Sequence, residues 1–156
     1  MGNQILIPLD GSESTEEVLY YTHSIASCRP DTALTLLHVA SDENDAEAKD
    51  HPCLKTLSGL LGAEGWQVDT LVRCGDPVAT ITTTAEEIAA RLIVMSTHGR
   101  TGIERIHKGS ITESVVRDSN CPVFILHSER PEPADKRSDN LFKRILVPLD
   151  GTNESS

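Results

Sequence analysis

The chain contains 156 residues, of which 38% are hydrophobic and only 3% aromatic, and it carries a formal net charge of −10. This length corresponds to about one domain with a complete core, and the composition predicts an interior of aliphatic side chains. The acidic balance excludes a general surface for nucleic acids or for anionic membranes, because both need clustered Lys and Arg.

Short apolar runs alternate with amphipathic stretches from the start of the chain. Ile5–Leu9 is predicted to form a buried strand that ends in an acidic turn. Ser14 and Glu17 have the spacing of a capping box, and apolar residues follow them at helical intervals, so a helix is expected next. Ala33–Val39 is the second predicted strand. Ser41–Asp50 is acidic and lacks periodicity, which indicates an exposed loop.

The middle of the chain repeats this alternation. Pro52 is predicted to open a helix that ends at Gly62 or Gly65, since proline suits the first helical position and glycine the end. Trp66–Val72 alternates in polarity like a third strand. Asp76 then reads as an N-cap followed by proline, and apolar residues recur at spacings of three and four in the helix beyond it.

Two more strands and one helix complete the pattern. Leu92–Met95 and Val123–Leu126 are predicted strands, and Ser110–Asp118 is a predicted helix between them. Five short apolar strands that alternate with helices indicate an open parallel sheet covered by helices on both faces. The expected fold class is therefore α/β, with a Rossmann-like arrangement.

The end of the chain repeats its beginning. Residues 144–152 read RILVPLDGT and residues 4–12 read QILIPLDGS, with six identities in nine positions. The expected organisation is one α/β domain over residues 1–128, a polar linker over 129–141, and the first strand of a second copy over 142–156. The alternative is that this last segment adds a strand to the sheet of the same domain.

The residues suited to ligand chemistry lie between the fourth strand and the next helix, where open α/β sheets bind ligands. Gly99 and Gly102 allow close approach of a ligand to the backbone. Gly109 and Ser110 stand at a helix N-terminus, where free amides favour a phosphate. The alternative is purely structural, with turning glycines and Ser110 as a helix cap. The segment matches neither the Walker A pattern nor GxGxxG.

These segments resemble the universal stress protein family over residues 4–127. The stretches that carry the resemblance are ILIPLDGS, GDPVATITTTAEEIAARLIVMSTHGRTG and KGSITESVVRDSNCPVFIL. ATP-binding members of that family carry G-x2-G-x9-G-[ST]. Gly99 and Gly109-Ser110 match the second part of this motif, whereas Ser96 replaces its first glycine. The resemblance also implies a fold like that of the adenine nucleotide alpha hydrolases.

The resemblance further implies roles for individual residues. Asp10 would lie near the ribose and base, Val39 and Ala40 would touch adenine, and Met95 would line the base pocket. The expected contacts along the ribose and phosphates include Gly99, Arg100 and Gly109 through Ile111. The complete set of expected nucleotide-binding residues is Pro8, Leu9, Asp10, Val39, Ala40, Met95, Ser96, His98, Gly99, Arg100, Gly102, Gly109, Ser110, Ile111 and Thr112. The residues themselves leave core packing open for Val39 and Ala40, and an Asx turn for Asp10.

Other kinds of site are not supported by the pattern. His38, His98 and His107 lack a common metal-binding spacing, and no catalytic base or nucleophile stands out. The cysteines show no CxxC or zinc pattern, which favours free thiols in a reducing cytoplasm. They are Cys28, Cys53, Cys74 and Cys121.

The expected function is that of a cytoplasmic, ATP-binding stress-response sensor or signalling adaptor with a downstream protein partner. Two alternatives remain, a slow ATP hydrolase with Mg²⁺ bound through the phosphates and a nucleotide-free interaction domain. The resemblance also implies a homodimer through the fifth strand, whose open edge invites a partner strand.

Overall fold

The computed structural model describes residues 3–9, 21–22, 25–26, 31–40, 51–96 and 111–126. The strands in these ranges are β1 (Asn3–Leu9), β2 (Thr32–Ala40), β3 (Gln67–Cys74), β4 (Leu92–Ser96) and β5 (Val123–Leu126). The helices are α1 (Pro52–Ala63), α2 (Pro77–Glu87) and α3 (Ile111–Asp118). Residues 21–22 and 25–26 are also helical, within the first helix that the sequence predicts.

All five strands run parallel in one sheet with the order β3-β2-β1-β4-β5. The chain moves from β1 outward through β2 to β3, and then returns to place β4 on the other side of β1. The switch point of the topology therefore lies between β1 and β4. The predicted fold class, an open parallel α/β sheet of the Rossmann-like kind, is confirmed.

Successive side chains of the strands enter two separate buried layers, because they point alternately to opposite faces of the sheet. The first layer joins Ile7 and Leu36 to Leu57 of α1 and to Ala26. The second layer joins Leu6, Leu37 and Met95 to residues of α2 and α3, among them Ile81 and Val115. Burial of both faces explains why the strands read as nearly continuous aliphatic runs.

Local signals at the helix ends act as the sequence predicts. The carboxylate of Asp76 accepts a hydrogen bond from the amide of Ala79 at 2.9 Å and so caps α2. At the end of α1, the amide of Gly65 donates to the carbonyl of Gly62, and that of Trp66 to Leu61. Gly65 has a φ of +93°. This is a Schellman motif, so α1 ends at the second of its two candidate glycines.

Element ends differ from the predicted ones by one or two residues. β3 begins at Gln67 instead of Trp66 and continues to Cys74, and β4 extends to Ser96. A strand ends where its hydrogen bonds to the neighbouring strand end. The spacing of apolar residues along the sequence does not show where that is. The predicted acidic loop at 41–50, the linker and the repeated segment at 142–156 lie outside the described residues.

Candidate functional site

Six of the expected ligand contacts stand at the ends of the three central strands. Because β1, β2 and β4 are parallel, their carboxyl ends share one edge of the sheet. The switch point between β1 and β4 opens at that edge, and open α/β sheets bind ligands in such a crevice. The six residues are Pro8, Leu9, Val39, Ala40, Met95 and Ser96.

These six residues fall on both faces of the sheet. Leu9 belongs to the buried layer under α1, whereas Met95 belongs to the layer under α2 and α3, and Val39 packs against that second layer. Alternation along the strands puts Pro8 with Met95 and Ala40 with Leu9. A ligand that touches both sets must therefore lie across the strand ends.

The six described residues at the strand ends are uncharged. Pro8, Val39 and Ser96 are partly exposed, whereas Leu9, Ala40 and Met95 are buried. Such a surface can accept a flat aromatic group by van der Waals contact and by burial of apolar area. Charged groups of a ligand would need partners elsewhere.

The N-terminus of α3 lies at the same edge of the sheet. The chain leaves the carboxyl end of β4 before α3 and enters the amino end of β5 after it, so α3 runs antiparallel to the strands. Ile111 is exposed there, while Thr112 is buried. The first amides of a helix have no intrahelical acceptor, and they favour an anion.

The other seven expected contacts lie outside the described residues. They are Asp10, His98, Gly99, Arg100, Gly102, Gly109 and Ser110. Described elements nevertheless flank these residues in the sequence. Asp10 directly follows the last residue of β1, and Gly109-Ser110 directly precede α3. Their assignment to the site stays a prediction from the sequence.

Two histidines at this edge were not expected as part of the site. Nδ1 of His38 lies 3.2 Å from the carbonyl oxygen of Leu9, across the β1–β2 pair. The ring of His38 also stacks on that of His51, with ring centroids 4.0 Å apart and planes 31° apart. The signal available in the sequence was a histidine one residue before Val39, in a strand whose other side chains are aliphatic or threonine.

A metal site requires several ligand side chains close together. Among the residues that the structure describes, no group of three or more His, Cys, Asp or Glu side chains could hold a metal ion.

Two further features lie at the opposite, amino-terminal edge of the sheet. A cavity of about 600 Å³ opens there beside Asp31, Glu64 and Trp66. On the far side of the sheet, the thiol of Cys121 donates to the carbonyl of Ala90 at 3.2 Å, and burial raises the pKa of that thiol. Both features are separated from the strand-end surface by the length of the strands.

Comparison with known proteins agrees with the fold. The family model described as the universal stress protein family matches residues 1–127. Universal stress protein MJ0531 from Methanocaldococcus jannaschii is 30% identical, over 83% of this chain and 84% of the relative. No helix in the described parts of the chain is long and apolar enough to cross a membrane.

Solved structures extend this likeness to three dimensions. The structure of MJ0577, a universal stress protein of the same archaeon, has a TM-score of 0.72 and 26% identity, covering 84% of this chain and 99% of that one. The universal stress protein from Archaeoglobus fulgidus in complex with dAMP has a TM-score of 0.60 and 23% identity, over 79% and 96% of the chains. The family match over most of the sequence, together with this fold, shows that the chain belongs to the universal stress protein family.

Proposed function

We propose that this chain binds ATP at the carboxyl edge of its sheet and acts as a stress-response sensor or signalling adaptor in the cytoplasm. The observation that carries the proposal is the convergence of the ends of β1, β2 and β4 with the N-terminus of α3 at the switch point. The uncharged, mostly apolar residues at the strand ends and the first amides of α3 would then face one ligand. Adenine and phosphate are chemically suited to these two parts.

The base would lie against the strand ends. Val39 and Ala40 from β2 and Met95 from β4 offer aliphatic and thioether contacts, with no charge that would need a counter-ion. The ribose would follow toward Asp10, whose carboxylate can accept hydrogen bonds from hydroxyl groups. This order leaves the phosphates pointing toward the segment that leads into α3.

The phosphates would be held by backbone amides. Gly109 and Ser110 directly precede Ile111 in the sequence. In this proposal they would form the turn that opens α3. Amides at such a turn suit an anion because they lack intrahelical partners. Gly99 would keep the backbone of the preceding segment close to the ligand, since it has no Cβ.

A comparison with a solved structure supports this assignment. The Archaeoglobus protein of the same fold was solved with dAMP, which shares the adenine and a phosphate with ATP.

The first experiment identifies the ligand. Mass spectrometry of small molecules released from the purified full chain is expected to detect an adenine nucleotide, and calorimetry with ATP should then give a measurable Kd. Incubation with ATP and Mg²⁺ followed by chromatography tests for slow hydrolysis. Metal-dependent turnover would favour the hydrolase alternative, and no binding at all would favour an interaction domain.

The second experiment tests the phosphate end of the site. Gly109→Val is expected to remove most ATP binding, because a branched side chain would occupy the space of the phosphates. Asp10→Ala is expected to weaken binding less, since the amides remain. Gly59→Val is the control, because a Cβ at Gly59 meets no atom within 4 Å. An affinity of folded Gly109→Val equal to that of the wild-type chain would contradict the assignment.

A further inference from the structure

Side-chain hydrogen bonds tie β1 to its neighbour β2 near both ends of the pair. At the amino end, the amide nitrogen Nε2 of Gln4 donates to the hydroxyl of Thr35 at 2.7 Å. At the carboxyl end, Nδ1 of His38 lies 3.2 Å from the carbonyl oxygen of Leu9. The strands are in register between these points, with Leu9 opposite His38. One tie is remote from the candidate site, and the other lies beside it.

The hydrogen bond at the carboxyl end determines which atom donates. A carbonyl oxygen can only accept a hydrogen bond, so Nδ1 of His38 must carry the proton and donate it. The ring thus joins the last residue of β1 to the third-last residue of β2. Both strands continue directly into expected ligand contacts, namely Asp10 after Leu9 and Val39-Ala40 after His38.

A second ring keeps His38 in place. His51 is the N-cap residue of α1, and its carbonyl oxygen accepts a hydrogen bond from the amide of Lys55 at 3.1 Å. Its side chain makes no capping hydrogen bond and stacks on His38, with ring centroids 4.0 Å apart. Nδ1 of His51 is buried and has no partner among the described residues. The ring is therefore placed by stacking and not by a capping role.

We propose that His38 is a positioning residue of the nucleotide site, which aligns the ends of β1 and β2 through its hydrogen bond to Leu9, with His51 as its support. This inference rests on the proposed function, because it concerns the same ligand. His38 sets the distance between the residue before Asp10 and the residues expected to touch adenine. Without the hydrogen bond between His38 and Leu9, the ends of β1 and β2 move relative to each other. Asp10 on one side and Val39-Ala40 on the other then contact the same nucleotide less often.

The size of the effect follows from the hydrogen bond. A typical protein hydrogen bond contributes about 1 kcal/mol, which corresponds to about a fivefold change in an equilibrium constant. If the tie raises the population of the binding-competent arrangement by this factor, its loss weakens the apparent affinity about fivefold. The contribution to folding stability should be of similar size.

Two substitutions separate the hydrogen bond from the ring. His38→Asn keeps an N–H donor close to the place of Nδ1 and removes the stacked ring, whereas His38→Phe keeps a ring and removes the donor. Calorimetry with ATP on the full chain is expected to show about fivefold weaker binding for His38→Phe. His38→Asn should bind within about twofold of the wild-type chain, which amounts to rescue by the donor.

Thr35→Val is the matched control. It removes the hydrogen bond from Gln4 between the same two strands, at a fully buried position far from the carboxyl ends of the strands. Its thermal unfolding temperature should fall as much as that of His38→Phe, while its Kd for ATP stays at the wild-type value. His51→Ala retains the donor but removes its support, and about threefold weaker binding is expected.

The outcomes distinguish this inference from the proposed function. Equal ATP affinity of His38→Phe and the wild-type chain would overturn the positioning role and leave ATP binding intact. So would a Thr35→Val variant that loses as much affinity as His38→Phe. A wild-type chain that binds no ATP would overturn both. If His38→Phe fails to fold, as judged by circular dichroism, the comparison of His51→Ala with Thr35→Val decides the question, and wild-type affinity in His51→Ala overturns the proposal.

Discussion

Asp76 and His51 occupy equivalent places, each as the N-cap of a helix with proline next to it. Only Asp76 uses its side chain for the cap, with a hydrogen bond of 2.9 Å to the amide of Ala79. The side chain of His51 instead stacks on His38. The N-terminus of α1 thus has no side-chain cap, because the side chain of its N-cap residue His51 packs against His38 near the end of β2.

Asp76→Ala is expected to lower the free energy of unfolding by about 1 kcal/mol, because the amide of Ala79 loses its acceptor and Ala cannot cap a helix. Urea unfolding followed by circular dichroism measures the change. Asp76→Asn is the control, since Asn also caps well and should cost only a few tenths of that value. An unchanged midpoint for Asp76→Ala would show that water replaces the cap.

At the scale of an element, α1 and the turn that follows it contain glycines in two different conformations. Gly59 lies inside the helix, and a Cβ there would meet no atom within 4 Å. Gly65 lies in the turn after the helix with a φ of +93°, again with open space around a Cβ. Sterics are therefore equal at the two positions, and only the backbone conformation differs.

The same substitution at these two positions is expected to have opposite effects. Gly59→Ala should raise the free energy of unfolding by about 0.5–1 kcal/mol, because Ala loses less backbone entropy in a helix. Gly65→Ala should lower it by about 1–2 kcal/mol, because a side chain strains the left-handed conformation. Thermal unfolding of both variants provides the comparison, and stabilisation by Gly65→Ala would contradict the Schellman motif.

The two outer strands of the sheet differ in their exposed side chains. β3 exposes Asp69 and carries Arg73, which forms an ion pair of 2.6 Å with Glu87 of α2. Charged side chains on an edge strand discourage pairing with another chain. The side chains of β5 are all apolar, and Ile125 is 40% exposed. Of the two edges, β5 is the better suited to a partner.

At the scale of the whole molecule, we propose a homodimer with isologous contact through β5. Among the described strands, β5 pairs with β4 alone, so one row of its backbone groups faces away from the sheet. A second copy related by a twofold axis can pair with that row, and the exposed Ile125 would then be covered. In the alternative arrangement, the repeated segment at 142–156 would cover this edge of β5 in place of a second copy.

Ile125→Lys is expected to convert the dimer to a monomer, because a desolvated charge in a strand pair is costly. Light scattering measures the mass. Leu60→Lys is the control, since Leu60 is 58% exposed on α1, and the dimer should persist. A monomeric wild-type chain would refute the dimer. Loss of the dimer in a chain that ends at Ser128, without loss in Ile125→Lys, would assign the contact to the repeated segment.

The site could be predicted from the sequence only in part. The resemblance to the family implies that Val39, Met95 and their neighbours contact one ligand, and the structure places these residues at one edge of the sheet. The pairing of His38 with Leu9 and with His51 could not be expected, since the three residues are distant in sequence. Side-chain contacts of this kind depend on strand register and on the position of α1, neither of which follows from local pattern.

The sequence by itself determined the elements and the fold class. The spacing of apolar residues, the Asp76-Pro77 start of α2 and the Gly65 end of α1 are local, since each depends on the chemistry of a few neighbouring residues. The tertiary structure decided the strand order and register, the switch point between β1 and β4, and the two side-chain ties between β1 and β2. These depend on which distant surfaces bury each other best, and that free energy is a property of the packed chain.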